Sequence, residues 1–582
     1  MKLTWDLTKI FVSTADLRKE MVKVKNKIKN IKKYENSELN YDLLYDLLSQ
    51  KWEIKESVNK ILIYASLKYY KNVHSVRNIN LKNEAENFNA EVECELKFID
   101  NKIIETGQSN IDDYFKKNKK LKTYKLYIDN LFRLEKHMQN ESISNKIKDN
   151  NKTINNYITS YNNLLKDIEF GKIIIDGKEI EINNSNANKY ISSVNRQTRF
   201  DTFNLVYNKY IEFGSEFANI LNNIYKLRIN NSYLEKYDSV LEKVLYEENI
   251  DEHIITNLIK SVNENIKTIQ EYITNKTQLL NINEPHVYDI NLPIKNNFNR
   301  KYTIEEAQAI VINALKPLGK KYTDTVKLLF DGHIDASPNK NKHQFITFSW
   351  NTYSFLNYRN SYNDLKNLIH EIGHIVNYYL SKEKQPFIYE DSTVFVGETA
   401  SIVNELLLNK YLYENAKTID EQVFYLSKNI ENYFTSVFKQ TMYTEFELEL
   451  YKYASNKNLT SKILNDYYYK IIKKYYGDTI KYDEVQKIEW ARLGHLFRWS
   501  YYPYKYATGL LIASIVVNDL TISKTISQKQ YIEFLSLGSS MYSLDLLKTL
   551  NITLTKDKLN EGFNLLNEDL SLLYKTINDQ KK

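Results

Sequence analysis

The sequence contains very little cysteine, proline and glycine, and each shortage excludes a class of structure. Its 582 residues include one cysteine, Cys94, so an internal disulfide framework is excluded and a reducing compartment is expected. With 6 prolines and 13 glycines, few residues interrupt helices, which predicts long helices. The longest apolar run, Gly509–Val517, is too short to span a bilayer, and the opening residues MKLTWDLTKIF lack the apolar stretch of a secretory signal. We therefore expect a soluble cytoplasmic protein without a membrane partner.

The charge of the chain does not indicate a nucleic-acid partner. The formal net charge is +7, but 80 basic and 73 acidic residues are mixed along the sequence. Basic runs such as Lys23–Lys33 and Lys116–Lys122 are typical of solvated helix faces. A nucleic-acid surface needs clustered basic residues with aromatic residues among them. Binding to nucleic acid is therefore not expected.

The hydrophobic pattern is helical along most of the chain and is interrupted twice. Residues 171–182, GKIIIDGKEIEI, replace helical spacing by two β-branched runs around Asp176-Gly177, which predicts a two-residue β-hairpin. Residues 328–358 are the second place where strands are expected, because they include an alternating aromatic run. The pattern after residue 360 is helical again, and Thr303 is the expected cap of an earlier helix. The fold class predicted from this pattern is mostly α.

We place the domain boundary at the polar stretch that follows the hairpin, near residue 185. The prediction is an N-terminal helical domain, 1–185, that ends in a hairpin at about 172–182. A second domain, 186–582, then carries every motif described below.

Residues 370–374 read H-E-x-x-H, and this pentapeptide is the strongest functional signal in the chain. On a helix, His370 and His374 lie on one face a turn apart, so both imidazoles can bind one metal ion, for which Zn²⁺ is the usual occupant. Glu371 is then placed to take a proton from a water molecule at the metal. The surrounding apolar spacing supports a helix, with Asn363 or Asp364 as its cap.

A catalytic zinc site needs a third protein ligand, which could be His, Asp or Glu. Glu398 follows His374 by 24 residues, enough for one helix to end and another to begin, and we favour it over a plain surface carboxylate. Glu405, seven residues further on, is either an acceptor that orients a ligand imidazole or a partner in a simple salt bridge.

A segment near the C-terminus, WARLGHLFRWSYYPYKYATG at 490–509, offers donors for an oxyanion. It places a histidine and several tyrosines around a proline that breaks or bends the helix. The candidates are His495, Tyr501, Tyr502, Tyr504 and Tyr506, around Pro503.

Ordered blocks along nearly the whole chain resemble oligoendopeptidase F and, more distantly, thimet oligopeptidase and neurolysin, a family of zinc metallopeptidases that act on short peptides. The blocks are HEIGH at 370–374, FVGETASIVNE at 395–405, the histidine at 495 and YYPYKYATG at 501–509. The resemblance implies zinc ligands at His370, His374 and Glu398 and a general base at Glu371. It also implies that His495, Tyr502 and Tyr506 contact substrate and support the oxyanion, with Tyr504 beside them.

The family resemblance further implies a fold: a two-lobed helical shell around a deep substrate channel, with the metal at its floor and a short sheet near the active site. Two positions depart from the family pattern. Asn377 stands where family members often have a third histidine, from which we expect altered packing. Residues 343–346 replace the usual Gly-Ala-Tyr strand, so Phe345 is expected to contact substrate and to narrow the groove.

The sequence therefore predicts a cytoplasmic zinc endopeptidase that holds one Zn²⁺ per chain, cuts oligopeptides and is a monomer or a weak homo-oligomer. A metallocarboxypeptidase is the alternative of the same class, and it would need a cation such as Arg498 for the substrate carboxylate. A catalytically silent peptide-binding protein is the alternative of another class, and the intact H-E-x-x-H disfavours it.

Overall fold

A computed structural model describes residues 4–295, 300–337 and 347–580, and its secondary structure is 73% helical. The predicted mostly α class is thereby confirmed. In chain order the first helices are α1 (Thr14–Ile31), α2 (Tyr41–Lys71), α3 (Val76–Thr106), α4 (Gln108–Lys117), α5 (Lys125–Glu135), α6 (Glu141–Asp167), α7 (Ala187–Ile191), α8 (Arg196–Glu212), α9 (Gly214–Leu234), α10 (Val240–Glu247), α11 (His253–Glu264), α12 (Ile266–Leu279) and α13 (Val287–Ile290).

The remaining helices begin after residue 300, and two of them carry the H-E-x-x-H motif and Glu398. They are α14 (Ile304–Ala314), α15 (Lys320–Leu329), α16 (Tyr362–Lys384), α17 (Val394–Glu414), α18 (Ile419–Tyr433), α19 (Lys439–Ala454), α20 (Ser461–Tyr476), α21 (Gly494–Arg498), α22 (Pro503–Thr521), α23 (Gln528–Leu535), α24 (Ser543–Lys548), α25 (Lys556–Glu561) and α26 (Asn564–Gln580).

Side-chain caps explain where several helices begin. Thr303 caps α14 by accepting a hydrogen bond from the backbone N–H of Glu306, as predicted. The predicted cap of α16 is wrong: Ser361, not Asn363 or Asp364, caps the helix. Asp364 is instead the third helical residue of a capping box, because its carboxylate accepts from the backbone N–H of Ser361.

The predicted hairpin is present, formed by β1 (Gly171–Ile175) and β2 (Lys178–Ile182) in antiparallel register. The two turn residues, Asp176 and Gly177, have φ angles of 49° and 75°. Two successive left-handed residues define the type I′ turn that matches the twist of the strands.

A second, three-stranded sheet lies within the 328–358 stretch and confirms the strands expected there. It comprises β3 (Ile334–Asp335), β4 (Phe348–Trp350) and β5 (Tyr353–Phe355) in the order β3-β5-β4. β5 is parallel to β3 and antiparallel to β4. Phe345 and the 343–346 segment lie outside the described residues, so their predicted contact with substrate stays a prediction.

The chain divides into two compact units, each assembled from three segments. Unit 1 comprises residues 1–138, 300–408 and 526–550, and unit 2 comprises 139–299, 409–525 and 551–582. In unit 1 the helices α1, α2 and α3 pack around a continuous apolar core. In unit 2, α6 packs on α9 and α18 on α26. Residue 185 lies inside unit 2, and the division into 1–185 and 186–582 stays a prediction.

In unit 1, α16 and α17 make backbone contact at Gly373. A Cβ added to Gly373 would lie 2.7 Å from the backbone nitrogen of Ser401 and closer still to its Cα. Asn404 of α17 strengthens the contact by donating to the Ile369 carbonyl at 3.1 Å, and it accepts from the Tyr322 hydroxyl at 2.9 Å. Only glycine permits this approach.

Asn377, the departure from the family pattern, is fully buried on α16 and is hydrogen-bonded. Its amide donates to the carbonyl of Leu535 on α23 at 2.8 Å, and its oxygen accepts from the Ser392 hydroxyl. Both contacts fit the packing role expected for this residue.

Among the described residues, the structure has no helix that is both long enough and apolar enough to cross a membrane.

We expect Gly373→Ala to lower the unfolding free energy by at least about 1–3 kcal/mol, the usual cost of overpacking, because the obstructing atoms belong to the backbone of α17. Gly397→Ala on α17 is the matched control, since its new Cβ would be 3.4 Å from the nearest side-chain atom, an ordinary contact. Denaturant unfolding and bound-metal content check both variants. Equal unfolding free energies for the two variants would contradict the close backbone contact between α16 and α17 at Gly373.

Candidate metal centre and active site

The two histidines of the motif converge from successive turns of α16. The Nε2 atoms of His370 and His374 are 3.2 Å apart, and the ring planes are nearly perpendicular. Two nitrogens this close, each carrying an available lone pair in the neutral ring, suit a shared metal ion. The spacing of four residues on a helix therefore brings the two imidazoles together, and their role as metal ligands stays a prediction.

α17 brings Glu398 to the same point. Its Oε2 atom lies 3.9 Å from Nε2 of His370, and one ligand atom from each of His370, His374 and Glu398 lies within 4.8 Å of the other two. Two imidazole nitrogens and one carboxylate oxygen form a donor set that zinc accepts in catalytic sites. These three residues could hold a metal ion.

Glu405, two helical turns further along the α17 face, fixes the orientation of the first imidazole. Its Oε1 accepts a hydrogen bond from Nδ1 of His370 at 2.6 Å, and its Oε2 pairs with Lys366 at 3.0 Å. Since an ionised carboxylate only accepts, Nδ1 must carry the hydrogen, which leaves Nε2 of a neutral ring free to bind a metal. Both alternatives weighed for Glu405, acceptor and ion pair, are realised together.

The charges around the two imidazoles move their pKa values in opposite directions. Burial lowers the pKa of His370, but the hydrogen bond and charge of Glu405 outweigh it and raise the value to about 9. Burial and the neighbouring His370 lower the pKa of His374 to about 3. Burial also raises the pKa of Glu405, yet Lys366 and His370 bring it down to about 2. The pKa of His370 is high because carboxylates surround the ring, and a site rich in carboxylates favours a cation.

Glu371, the predicted base, is only 6% exposed and is held by a residue that the sequence analysis missed. The hydroxyl of Ser349 on β4 donates to Oε2 of Glu371. Burial raises the pKa of the Glu371 carboxyl, while His370 and Ser349 act against that shift. A raised pKa brings a carboxylate closer to the working range of a general base. The one available signal for Ser349 was a polar residue inside an aromatic strand.

The C-terminal candidates lie in unit 2, whereas the metal triad and Glu371 lie in unit 1. His495 is on α21, with its ring 5.4 Å from that of Tyr443. Its Nε2 is buried and has no hydrogen-bond partner among the described residues. Burial, assisted by Arg498, lowers the pKa of His495 to about 4, so the ring is neutral at pH 7.

Tyr502 and Tyr506 are brought together, and Tyr504 is separated from them. Pro503 is the first residue of α22, so Tyr502 and Tyr506 are four positions apart, with ring centres 5.3 Å apart. Tyr506 is 40% exposed, whereas Tyr504 is fully buried and donates to Glu248 at 3.2 Å. This placement gives Tyr504 a packing role, and its predicted contact with substrate stays a prediction.

Two charged residues, the half-buried Arg228 and the fully buried Glu447, hold the turn that precedes Tyr502, and neither was singled out from the sequence. Arg228 donates to the carbonyls of Leu496 and Phe497 at 3.1 and 2.8 Å. Glu447 accepts from the backbone N–H of Tyr501 at 2.9 Å, where the chain has a left-handed φ of 52°. A non-glycine residue keeps such a backbone only when its surroundings enforce it. The hydrogen bond from the Tyr501 N–H to Glu447 helps to hold this backbone conformation.

Comparison with known proteins identifies the class to which this geometry belongs. Residues 189–561 match the profile described as Peptidase family M3. Because the match covers more than half of the 582 residues, the chain belongs to peptidase family M3. The resemblance drawn from the motif blocks is thereby confirmed.

Particular relatives match most of the length of this chain. Oligopeptidase PepF of Bacillus subtilis (strain 168) is 29% identical over 561 residues, which cover 95% of this chain and 84% of that protein. The oligoendopeptidase F homolog of Borreliella burgdorferi is 28% identical, covering 95% of this chain and 94% of that protein. The crystal structure of oligoendopeptidase-F from Enterococcus faecium shares the fold, with a TM-score of 0.74 at 22% identity over 97% of this chain and 99% of that one. Family and relatives support an oligopeptidase.

The buried Glu447 predicts a pH-dependent stability. Burial raises its pKa to about 8, far above the value of about 4.3 in an unfolded chain. The folded state therefore keeps a proton that the unfolded state releases. The contribution of this proton to the free energy of unfolding is complete below about pH 4.3 and is lost as the pH rises towards 8. The loss is at most about 1.4 kcal/mol per pH unit.

In Glu447→Gln this slope should disappear, because glutamine cannot ionise and still accepts from Tyr501. Denaturant unfolding at pH 5 and at pH 8 measures the difference between wild type and variant. Glu449→Gln, an exposed residue on the same helix α19, is the control and should keep the wild-type slope. Parallel curves for wild type and Glu447→Gln would mean that Glu447 is already ionised when folded.

Proposed function

We propose that the protein is a zinc-dependent endopeptidase that hydrolyses internal bonds of short, unstructured oligopeptides in the cytoplasm. The observation that carries the proposal is the convergence of His370, His374 and Glu398 within 4.8 Å, with Glu371 buried beside them. Membership in peptidase family M3 supplies the class of reaction. The cytoplasmic location is supported by the single Cys94, and the state of monomer or weak homo-oligomer stays a prediction.

The donor set supports zinc as the metal, one ion per chain. Two imidazoles and one carboxylate would hold the ion, as in catalytic zinc sites, and His370 would give up the hydrogen on its Nε2 atom when the metal binds. A zinc ion bound there supplies Lewis-acid chemistry, which makes water more acidic and polarises a carbonyl group. Glu405 contributes by keeping the hydrogen of His370 on Nδ1.

The residues of the chain itself supply proton transfer. Glu371 takes a proton from the attacking water and later passes it to the nitrogen of the leaving amine. Its burial keeps bulk water away from the carboxylate, and Ser349 holds the Oε2 atom in place. One carboxylate therefore acts first as a base and then as an acid.

His495, Tyr502 and Tyr506 are proposed to donate hydrogen bonds to the oxyanion of the tetrahedral intermediate. The proposal is supported by the family resemblance and by the neutral ring of His495, whose Nε2 has no protein partner among the described residues. Such donors act mainly on the transition state, where the oxygen is charged. A tyrosine hydroxyl and a neutral imidazole N–H both serve this purpose.

Purified protein should contain about one zinc per chain, and His370→Ala, His374→Ala and Glu398→Ala should each weaken zinc binding sharply. Glu405→Gln should weaken it by about 10–100-fold, the usual effect of losing a residue that orients a ligand. Glu414→Gln, an exposed carboxylate on the same helix α17, is the control. Metal analysis after dialysis against a chelator measures all five variants. Full zinc occupancy in Glu398→Ala would exclude Glu398 as a ligand.

Glu371→Gln should keep its zinc and lose peptide cleavage by about 10²–10⁴-fold, because shape is preserved while the proton acceptor is gone. Mass-spectrometric mapping of C-terminally amidated peptides measures the cuts. Internal cuts with the amide present separate an endopeptidase from a carboxypeptidase that depends on Arg498. Casein-sized chains should remain intact. Near-normal turnover in Glu371→Gln would place the chemistry elsewhere.

Tyr502→Phe and Tyr506→Phe each remove one hydroxyl and little else. For the tyrosine that donates to the oxyanion, kcat should fall while KM stays nearly constant, because the hydrogen bond matters in the transition state. His495→Ala should behave in the same way and retain zinc. Steady-state kinetics with one short peptide measure kcat and KM for the three variants and show which residue donates to the oxyanion. Wild-type kcat in both phenylalanine variants would make the tyrosines packing residues.

A further inference from the structure

A polar cavity of about 250 Å³ lies inside unit 2, apart from the residues assigned above. Its walls come from α7, α8, α13, α19 and α20, and from a 3₁₀ helix, Glu484–Arg492. Three charged side chains line it: Lys439, Glu489 and Arg492. This volume is below the roughly 300–1,000 Å³ of pockets for drug-sized ligands, so a much smaller molecule fits.

The charges in this cavity are not neutralised by direct contact. Neither Lys439 nor Glu489 makes a hydrogen bond or an ion pair with any residue in the described part of the chain. Arg492 donates to the hydroxyl of Tyr207 at 3.0 Å and more weakly to Asn188 at 3.4 Å, both neutral groups. Opposite charges that share a cavity without touching leave room for a molecule between them. All three side chains are half-buried, and unpaired charges partly withdrawn from water are costly, which favours an occupant.

Lys439 and Arg492 both keep their positive charge, since the pKa of each group is raised. Burial lowers the pKa of Lys439, but the nearby Tyr443, Glu489 and Tyr207 outweigh that effect and raise it. The cavity therefore presents two positive groups and one carboxylate. Part of its wall is also apolar, since Phe203, Ile290 and Leu493 line it.

We propose that this cavity binds a small zwitterion, an α-amino acid with an apolar side chain. Its carboxylate pairs with Lys439 and Arg492, its ammonium group pairs with Glu489, and its side chain meets the apolar wall. A simple anion leaves Glu489 unpaired, and a simple cation leaves Lys439 unpaired. One ligand satisfies all three charges only if it carries both signs.

The site has a structural link to the proposed catalytic residues. Lys439 is the first residue of α19, and Tyr443 stands one turn later on the same helix with its ring 5.4 Å from that of His495. An occupant of the cavity therefore lies one helical turn from a residue packed against His495.

Isothermal titration of the full-length zinc protein with L-leucine tests the proposal. Two analogues serve as probes of the individual charges: isocaproate lacks the amino group and isoamylamine lacks the carboxylate. We expect saturable binding of leucine and binding at least about tenfold weaker for each analogue, a loss of about 1.4 kcal/mol or more. Absence of saturable leucine binding overturns the proposal, and so does equal binding of leucine and isocaproate.

Matched substitutions locate the binding site. Lys439→Met and Glu489→Gln should each weaken leucine binding at least about tenfold. Lys452→Met on the same helix α19 and Glu484→Gln on the same 3₁₀ helix are exposed controls and should bind leucine like wild type. If all four variants bind alike, the proposal is wrong.

Two further measurements separate this site from the metal centre and from folding defects. Glu398→Ala, altered only in unit 1, should still bind leucine, so the result does not depend on the proposed peptidase activity. Loss of binding in Glu398→Ala with binding retained in Lys439→Met places leucine at the metal and overturns the proposal. In wild-type protein, leucine should slow amine-reactive labelling of Lys439 but not of Lys452. Unchanged labelling of Lys439 under saturating leucine also overturns it.

Discussion

The metal centre depends on the contact between two helix backbones at Gly373. The motif on α16 supplies two proposed ligands that any regular helix would align, but the proposed third ligand lies on another helix. Glu398 reaches the imidazoles because no Cβ separates Gly373 from Ser401. The same contact brings Glu405 against His370. One missing methyl group therefore determines both the ligand set and the group that orients it.

Electrostatics at the site follow from that crossing. Three carboxylates, those of Glu371, Glu398 and Glu405, gather around two imidazoles, and Lys366 and the protonated His370 offset only part of their charge. Such a concentration of negative charge costs free energy until a cation binds. We infer that metal binding and the stability of the α16–α17 pair are coupled, since the ion relieves the repulsion that the packing creates.

The features that sequence could predict are those determined within a short stretch of chain. The spacing of His370 and His374 requires only one helix, and the Asp176-Gly177 turn requires only its own backbone preferences. Even locally, adjacent capping residues compete, which is why the cap of α16 was assigned to the wrong residue. Ser349 and Glu447 were missed because their partners lie 22 and 54 residues away and are set by packing. Contacts of that kind leave no periodic signal.

The interleaving of the two units has a consequence for how the chain acquires its structure during synthesis. Unit 1 joins residues 1–138 and 300–408 to residues 526–550, so it is complete only when that third segment has been made. Asn377, three residues beyond the second histidine of the metal motif, waits for a carbonyl partner at Leu535, 158 residues later. Until then the buried side-chain amide of Asn377 on α16 lacks its hydrogen-bond acceptor. The proposed metal centre therefore reaches its final packing only after residue 535 has left the ribosome, and contacts of such long range are slow to form.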